Sequence, residues 1–403
     1  MAATKKKSSK TYGHNLETFS LLWLDAEVNT TDENRRAQKR LRSIINHLEI
    51  FHDQHECQQY IMSCSEHDRV VLIISGRLSK ELIPQIHHLR QLSAVYIYCW
   101  DKKAYKHWAK QYSKIKGVVI QLDDLIQQIT TDQKDRGKVE EPMCMNFYNV
   151  GGNVDKSTTE LNGQFIHSLL LIDVLIRMKS SDADKKSLIQ LCEEEFSDND
   201  HQLEIVHEFE GYYKPKKAIW WYTRDAFRLI KHQCQKAVRV YRYQAMYADE
   251  LNTLQNSIGQ FISINSFFST SSDRDTALKF MKSTTISNDL RGILFDIEAD
   301  PRVVKSKPFA DISSLSYFSQ ESEILFMVGC IFRLINIYPD DKENIWIIKM
   351  QLAENNDNEL KKLFDQLKAD YGGGENEADL QFFGDVLQHM GKYDSAEKIY
   401  IDV

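Results

Sequence analysis

Between residues 17 and 131, five short apolar runs alternate with five amphipathic stretches, and this alternation constrains the fold more than any other feature of the chain. The runs are Phe19 to Asp25, Leu48 to His52, Val70 to Ser75, Ala94 to Cys99 and Val118 to Leu122. They are continuously apolar, as strands are when both faces of their sheet are covered. Asn34 to Asn46, Gln54 to Ser63, Lys80 to Gln91, Lys103 to Tyr112 and Asp123 to Ile129 read as helices. Each strand followed by a helix predicts a parallel sheet with helices on both faces.

The predicted domain is α/β, flavodoxin-like or receiver-like, in three layers. A phosphoacceptor domain of that kind needs an acid at the end of the third strand, and Ser75-Gly76 stands there. Asp25 and Glu27 follow the first strand, where paired acids are commonly just solvated. The helical pair His87-His88 reads as packing rather than a metal site. We therefore expect a non-catalytic interaction or regulatory domain, with protein partners as its ligands.

Residues 132–158 are polar, with Gly137, Pro142 and Gly151-Gly152, and are expected to be a linker. Ser157 and Glu160 fit a capping box that opens the next helix. Helices are predicted over Glu160 to Met178, Asp184 to Glu195, Asp198 to Phe209 and Thr223 to Ala237. Strands follow at Val238 to Tyr243, Ser266 to Ser269, Ile293 to Glu298, Glu321 to Val328, Phe332 to Tyr338 and Ile345 to Leu352. Helices followed by short antiparallel strands read as an α+β domain, placed at 159–352.

Hydrophobic residues make up 42% of the 403 and charged residues 27%, which describes a globular chain long enough for several cores. A net charge of −7 and a pI near 6.0 argue against general nucleic-acid binding. The start carries Lys5-Lys6-Lys7 and Lys10 with no apolar run behind them. Residues 1–16 thus read as a disordered tail, not a secretory signal. A nuclear or membrane-surface address is the minor alternative. The most apolar stretch, Phe165 to Ile176, is too short to span a bilayer. The seven cysteines are scattered, with no Cys-x-x-Cys pair, which suits reduced thiols in a cytoplasmic protein and gives no zinc pattern.

Three segments in the second half carry chemistry. In Val238-Arg239-Val240-Tyr241-Arg242, Arg242 shares the apolar face of a half-buried strand with Val238 and Val240. A guanidinium there calls for an anion, either a protein carboxylate or a ligand phosphate. In Ser266-Phe267-Phe268-Ser269-Thr270-Ser271-Ser272-Asp273, a short aromatic strand runs into hydroxyls, and Asp273 is placed to cap a helix. In Phe318-Ser319-Gln320-Glu321-Ser322-Glu323-Ile324-Leu325-Phe326, Glu321 and Glu323 stand two apart before an apolar run. On a continuous strand they would share one face. They are either a solvated strand end or a paired-carboxylate site.

Arg242, Ser269 at 27 residues on, and Glu323 at 54 more form an ordered set. The set resembles the Arg–Ser–Glu signature of arginine-specific mono-ADP-ribosyltransferases of the cholera-toxin-like class. Ala218-Ile219-Trp220-Trp221-Tyr222-Thr223-Arg224-Asp225-Ala226-Phe227 and Pro308-Phe309-Ala310-Asp311-Ile312-Ser313-Ser314 extend the resemblance over roughly 159–352. It implies a helical lobe on two small crossed sheets with NAD between them. It implies transfer of ADP-ribose from NAD, or NADP, to the arginine of a target protein, with no metal or second cofactor. Glu323 would stabilise the oxocarbenium-like ribose, Arg242 would clamp the pyrophosphate and Ser269 would hold Glu323 and the ribose. Glu321 would orient the incoming guanidinium, where relatives that modify asparagine carry glutamine. Tyr317 and Phe318 would either meet the target from the loop Ser313 to Gln320 or pack beneath it. One departure is Tyr243, where the family often has glycine. It either narrows the phosphate approach or, with opposite parity to Arg242, points away. Two alternatives keep the same residues: an NAD glycohydrolase, and a catalytically silent NAD-binding scaffold.

The tail, residues 355–403, reads as helical, with Asn358 to Tyr371 ended by Gly372-Gly373-Gly374. Gly384, Leu387, Gly391, Tyr393, Ala396 and Tyr400 then follow the tetratricopeptide pattern. One repeat cannot cover its own faces. It is expected to dock on the preceding domain or to end a longer array; an ordinary helical hairpin is the alternative.

Overall fold

The computed structural model describes residues 18–140, 143–148, 161–178, 182–214, 217–223, 237–283, 289–302, 309–313, 322–353, 358–370 and 380–401. The chain divides into two compact units, Met1–Gln133 with Phe196–Gln202, and Lys134–Glu195 with Leu203–Val403.

The first unit runs β1 (Phe19–Leu24), α1 (Asp32–Arg42), β2 (Leu48–Phe51), α2 (Gln54–Ser63), β3 (Arg69–Ser75), α3 (Gly76–Ile86), β4 (Leu92–Tyr98), α4 (Lys102–Ala109), β5 (Ile115–Val119) and α5 (Leu122–Val139). All its strand pairs are parallel and the order is β2-β1-β3-β4-β5. That is the order of doubly wound flavodoxin-type sheets. Alternate residues of β1 feed two cores. Leu22 and Leu24 join one cluster with Ile61 and Leu82, while Leu21 and Trp23 join another with Leu41 and Ile126. Burial on both faces explains why the strands read as unbroken apolar runs. Helix starts are fixed by side-chain caps: Asp53 accepts from the His55 and Glu56 amides at 2.8 and 2.9 Å, and Asp101 from the Lys103 amide at 2.9 Å. Ser75 closes β3 and Gly76 opens α3, where the sequence places them. Asn199 joins this unit by donating to the Arg42 carbonyl and the Asn46 side chain, at 2.8 and 3.0 Å.

The second unit continues with β6 (Met145–Tyr148), α6 (Leu161–Arg177), α7 (Asp182–Glu195), α8 (Asp200–Tyr212), α9 (Ala218–Thr223), β7 (Val238–Tyr247), α10 (Ala248–Gln255), β8 (Phe261–Ile264) and β9 (Phe268–Ser271). Then come α11 (Arg274–Ser283), β10 (Leu290–Ala299), β11 (Phe309–Asp311), β12 (Glu323–Phe326), β13 (Cys330–Asp340), β14 (Ile345–Ala353), α12 (Asn358–Asp370), α13 (Leu380–His389) and α14 (Tyr393–Ile401).

The stretch 132–158 is not a linker throughout. α5 continues to Val139, which is fully buried beside Tyr243 and Leu294, and Tyr96 donates to Asp132 at 2.6 Å. β6 pairs with β8, and its Met145 and Phe147 pack against the core. The second unit therefore begins at Lys134, ahead of the expected 159. The expected helix Thr223 to Ala237 lies almost entirely outside the described residues.

Among the described residues, the strands of the second unit do not form two separate crossed sheets. One nine-stranded sheet runs β11-β12-β9-β7-β10-β14-β13-β8-β6, with β10 and β14 parallel. Its first three strands join the rest through a single register pair, Tyr241 with Ser271. β8 and β9 lie five places apart in this order, roughly 24 Å in a flat sheet, yet Ile264 and Phe268 are only four residues apart, at most ~14 Å of chain. The sheet must therefore curl until its two halves face each other. One core fills the space, drawing Val240, Ile264, Phe268, Phe295, Phe309, Phe326 and Phe332 from seven strands. Phe268 lies 6.0 to 6.2 Å from the rings of Phe295, Phe326 and Phe332. Each such buried phenyl contributes on the order of 1.5–3 kcal/mol, so β9 and β12 are firmly seated.

The C-terminal helices form a hairpin on this unit. Phe382 and Val386 of α13 pack with Phe165, Leu169 and Leu170 of α6. A Cβ at Gly384 would lie 2.6 Å from the Tyr400 ring, so the glycine admits α14 at that approach. The Tyr400 hydroxyl donates to Asp385 at 2.6 Å, which pushes the phenol up to about 12. Among the described residues, no helix is long and apolar enough to cross a membrane.

Candidate active site

Arg242, Ser269 and Glu323 are brought together by β7, β9 and β12. Glu323 stands opposite Ser271, and Leu325 opposite Ser269. Register pairs share a face, so Glu323, Leu325, Ser269 and Ser271 lie on one side of this ladder. Ile324, Phe326 and Phe268 lie on the other side, in the core. The Ser269 hydroxyl donates diagonally across the ladder to Glu323 Oε1 at 2.6 Å. Glu323 is buried, 7% exposed. Its carbonyl accepts from the Ile312 amide at 2.9 Å, which ties the start of β12 to the end of β11.

Arg242 reaches the same place from β7. Its Nη1 donates to the Ser269 carbonyl at 3.0 Å and its Nε to Gln244 Oε1 at 3.2 Å. Its guanidinium carbon lies 5.4 Å from the centre of the Phe268 ring, a cation–π contact. Arg239, three residues earlier, is held differently. It makes a bidentate pair with Asp296 at 2.7 and 2.6 Å, and these hydrogen bonds push its pKa up. Arg239 is thus committed to a carboxylate.

Tyr243 faces away from Arg242. It is buried with Val139, Ala245 and Leu294, and its hydroxyl lies 2.8 Å from where a Cβ on Gly292 would be. Burial pushes its phenol up to about 12. The parity argument is thus the one that holds, and Tyr243 does not crowd the guanidinium.

Glu321, Tyr317 and Phe318 lie outside the described residues. The expectation that Glu321 and Glu323 share a strand face therefore falls outside what is described; β12 itself starts at Glu323. Ser322, just before it, has φ 47°, in the left-handed region. Its carbonyl accepts from the Ser272 amide at 3.0 Å, which fixes that turn to the residue following β9.

Asp273 sits at the start of α11, as expected. Its carboxylate accepts from the Thr276 hydroxyl at 2.5 Å and the Thr276 amide at 2.9 Å. These bonds, the hydroxyl's first, hold it below the usual carboxylate range. Among the described residues there is no cluster of three or more histidine, cysteine or acidic side chains placed to hold a metal.

Three contributors lie outside the Arg–Ser–Glu set. Gln244, 3% exposed, holds Arg242 from two residues along, and its matching parity was the available signal. Ser272 and Ser322 shape the turn into Glu323, and no local pattern marks a left-handed serine.

The site is a buried carboxylate on β12 bonded to a hydroxyl on β9, with an arginine of β7 bonded to the backbone of that same serine. It can bind an anion at one point and stabilise developing positive charge at another.

No family model matches the chain, and no curated protein is similar to it. Among solved structures it is similar to ADP-ribosyltransferase HopU1 of Pseudomonas syringae pv. Tomato DC3000, at 24% identity over 29% of this chain and 45% of that one, TM-score 0.23. It is similar to Plx2a, an ADP-ribosyltransferase toxin from Paenibacillus larvae, at 13% identity over 42% of this chain and 97% of that one, TM-score 0.27. It is also similar to exoenzyme S from Pseudomonas aeruginosa, solved with human 14-3-3 protein beta and Carba-NAD, at 16% identity over 46% of this chain and 97% of that one, TM-score 0.26. This chain thus spans less than half the length of the first of these, and TM-scores this low do not establish a shared fold.

Proposed function

We propose that this protein transfers ADP-ribose from NAD to the arginine of a target protein and releases nicotinamide. The observation that carries the reading is the 2.6 Å bond from Ser269 to Glu323, with Arg242 bonded to the Ser269 carbonyl. Three residues far apart in sequence meet at one point, in roles that suit this chemistry.

Glu323 accepts a hydrogen bond from a ribose hydroxyl and stabilises the positive charge that builds on the ribose as its bond to nicotinamide breaks. Nicotinamide leaves with the bonding electron pair. Ser269 keeps the Glu323 carboxylate aimed through its 2.6 Å bond. Arg242 grips the pyrophosphate through the N–H groups of its fork that face the ligand. Glu321 orients the incoming guanidinium, whose nitrogen bonds to the ribose carbon, and takes up the proton it sheds. Tyr317 and Phe318 contact the target protein. The first unit and the C-terminal hairpin, as a tetratricopeptide-like repeat, recruit protein partners.

The test is incubation with labelled NAD and agmatine, a free guanidinium acceptor, with nicotinamide release and labelled agmatine both measured. Labelled agmatine supports the reading. Steady NAD consumption with neither agmatine nor any protein arginine labelled replaces transfer with hydrolysis. NAD binding without turnover leaves a scaffold.

A further inference from the structure

The Nε of Arg242 is held by Gln244, a residue outside the Arg–Ser–Glu set. Arg239 takes both oxygens of Asp296. Arg242 takes Gln244 Oε1 on Nε and a backbone carbonyl on Nη1. Gln244 has the side-chain shape of a glutamate but supplies no counter-charge. Only 3% of it is exposed, and burying a polar side chain so deeply is costly unless its hydrogen bonds are made. Arg242 and Gln244 share parity on β7, so the amide oxygen lies beside Nε rather than beyond the guanidinium edge. With Nε fixed by Gln244, Nη1 by Ser269 and the plane against Phe268, the guanidinium is fixed in direction as well as position.

We propose that Gln244 is a positioning residue for Arg242: it orients the guanidinium for the NAD diphosphate and brings no charge of its own. The proposal rests on the NAD-binding reading given above. A glutamate at this place would satisfy the same geometry and would compete with the phosphates for the same charge. Glutamine supplies the acceptor alone, and it does so without touching NAD.

The experiment compares the full-length wild type with Gln244→Met, Gln244→Glu, Arg242→Lys and the double variant Arg242→Lys/Gln244→Met. Affinity for NAD is read by calorimetry, turnover by nicotinamide release, and the Arg242 Nε–H by side-chain nitrogen NMR. Losing a hydrogen bond that orients a charged ligand-binding group is worth about tenfold in affinity. Gln244→Met is expected to raise Kd for NAD by about that factor, to leave kcat within about twofold, and to expose the Nε–H to faster exchange. Gln244→Glu is expected to weaken NAD as well, by charge competition, while keeping the Nε–H protected. The double variant should bind no more weakly than Arg242→Lys, because Gln244 acts through Arg242. Wild-type affinity in Gln244→Met, or additive losses in the double variant, would overturn the proposal while leaving the NAD reading intact. Should Gln244→Met not fold, wild-type affinity in Gln244→Glu overturns it alone. A wild type that binds no NAD removes the functional reading and this inference together.

Discussion

Replacing Glu323 with glutamine separates its structural role from its chemical one. The two side chains have the same shape, so the Ser269 hydroxyl can still donate to the oxygen that it meets at 2.6 Å. The ladder with β9 is made by backbone groups and is untouched. A hydrogen bond to a carboxylate contributes about 1 kcal/mol more than one to a neutral amide, and the relief of an uncharged buried group offsets part of that. Thermal stability should therefore fall by about 1 kcal/mol or less. The rate effect is of another size. Electrostatic groups aimed at charge that develops in the transition state contribute on the order of 100- to 1000-fold, about 2.7–4 kcal/mol. Ground-state NAD carries no such charge at the ribose, so its affinity should change little. The assay pairs calorimetric NAD binding with nicotinamide release and agmatine labelling on one folded preparation. Intact binding with both activities reduced at least 100-fold is the expected result. Near-full activity, or a loss of rate matched by an equal loss of affinity, would refute the assignment of Glu323 to transition-state stabilisation.

Other perturbations test neighbouring parts of the site. Arg242→Lys should raise Kd for NAD roughly tenfold, because a point charge does not reproduce a bidentate grip on phosphate; unchanged affinity in calorimetry would make Arg242 purely structural. Glu321→Gln should abolish agmatine labelling while sparing much of the nicotinamide release, since water is small enough to attack without an orienting carboxylate; parallel loss of both activities would count against the division of roles. Ser322→Val places a β-branched residue at φ 47° and should cost about 1–3 kcal/mol in urea denaturation, whereas Ser322→Gly should cost nothing; equal midpoints for the two would disprove the strain argument. Asp273 has a lowered pKa in the fold, so its stabilising contribution is present above the ordinary value of 3.8 and disappears as pH falls through the folded value. The gap in urea midpoint between wild type and Asp273→Ala should therefore be open at neutral pH and close in acid; a gap that stays constant across that range would contradict the cap assignment.

The parallel sheet of the first unit was legible because a strand buried on both faces leaves an unbroken apolar run: the first four runs became β1 to β4, while β5, Ile115–Val119, begins ahead of the fifth run, whose Leu122 opens α5. The order in which those strands pair is a property of the crossovers and of packing on two faces. The short strands β6 and β8, of four residues each, were missed for the opposite reason. Their polar surroundings hide so short a pattern, and they become strands by pairing, β8 with β13 and β6 with β8. Polarity made 132–158 read as a linker, although Val139 and Phe147 supply apolar anchors for the second unit.

The candidate site divides along the same line. The residue types of Arg242, Ser269 and Glu323 and their order are fixed by the chain itself, and with them the chemistry on offer: a fork for an anion, a hydroxyl and a carboxylate. The 2.6 Å bond between residues 54 apart exists because β9 and β12 pair with Leu325 opposite Ser269. A one-residue slip would turn Glu323 to the other face. Strand parity alone placed Tyr243 away from Arg242, because that rule is local. The regular backbone of β12 starts only at Glu323, after a left-handed Ser322. Local rules reach as far as the backbone stays regular; beyond that point, burial of the common core and the register it imposes decide which side chains meet.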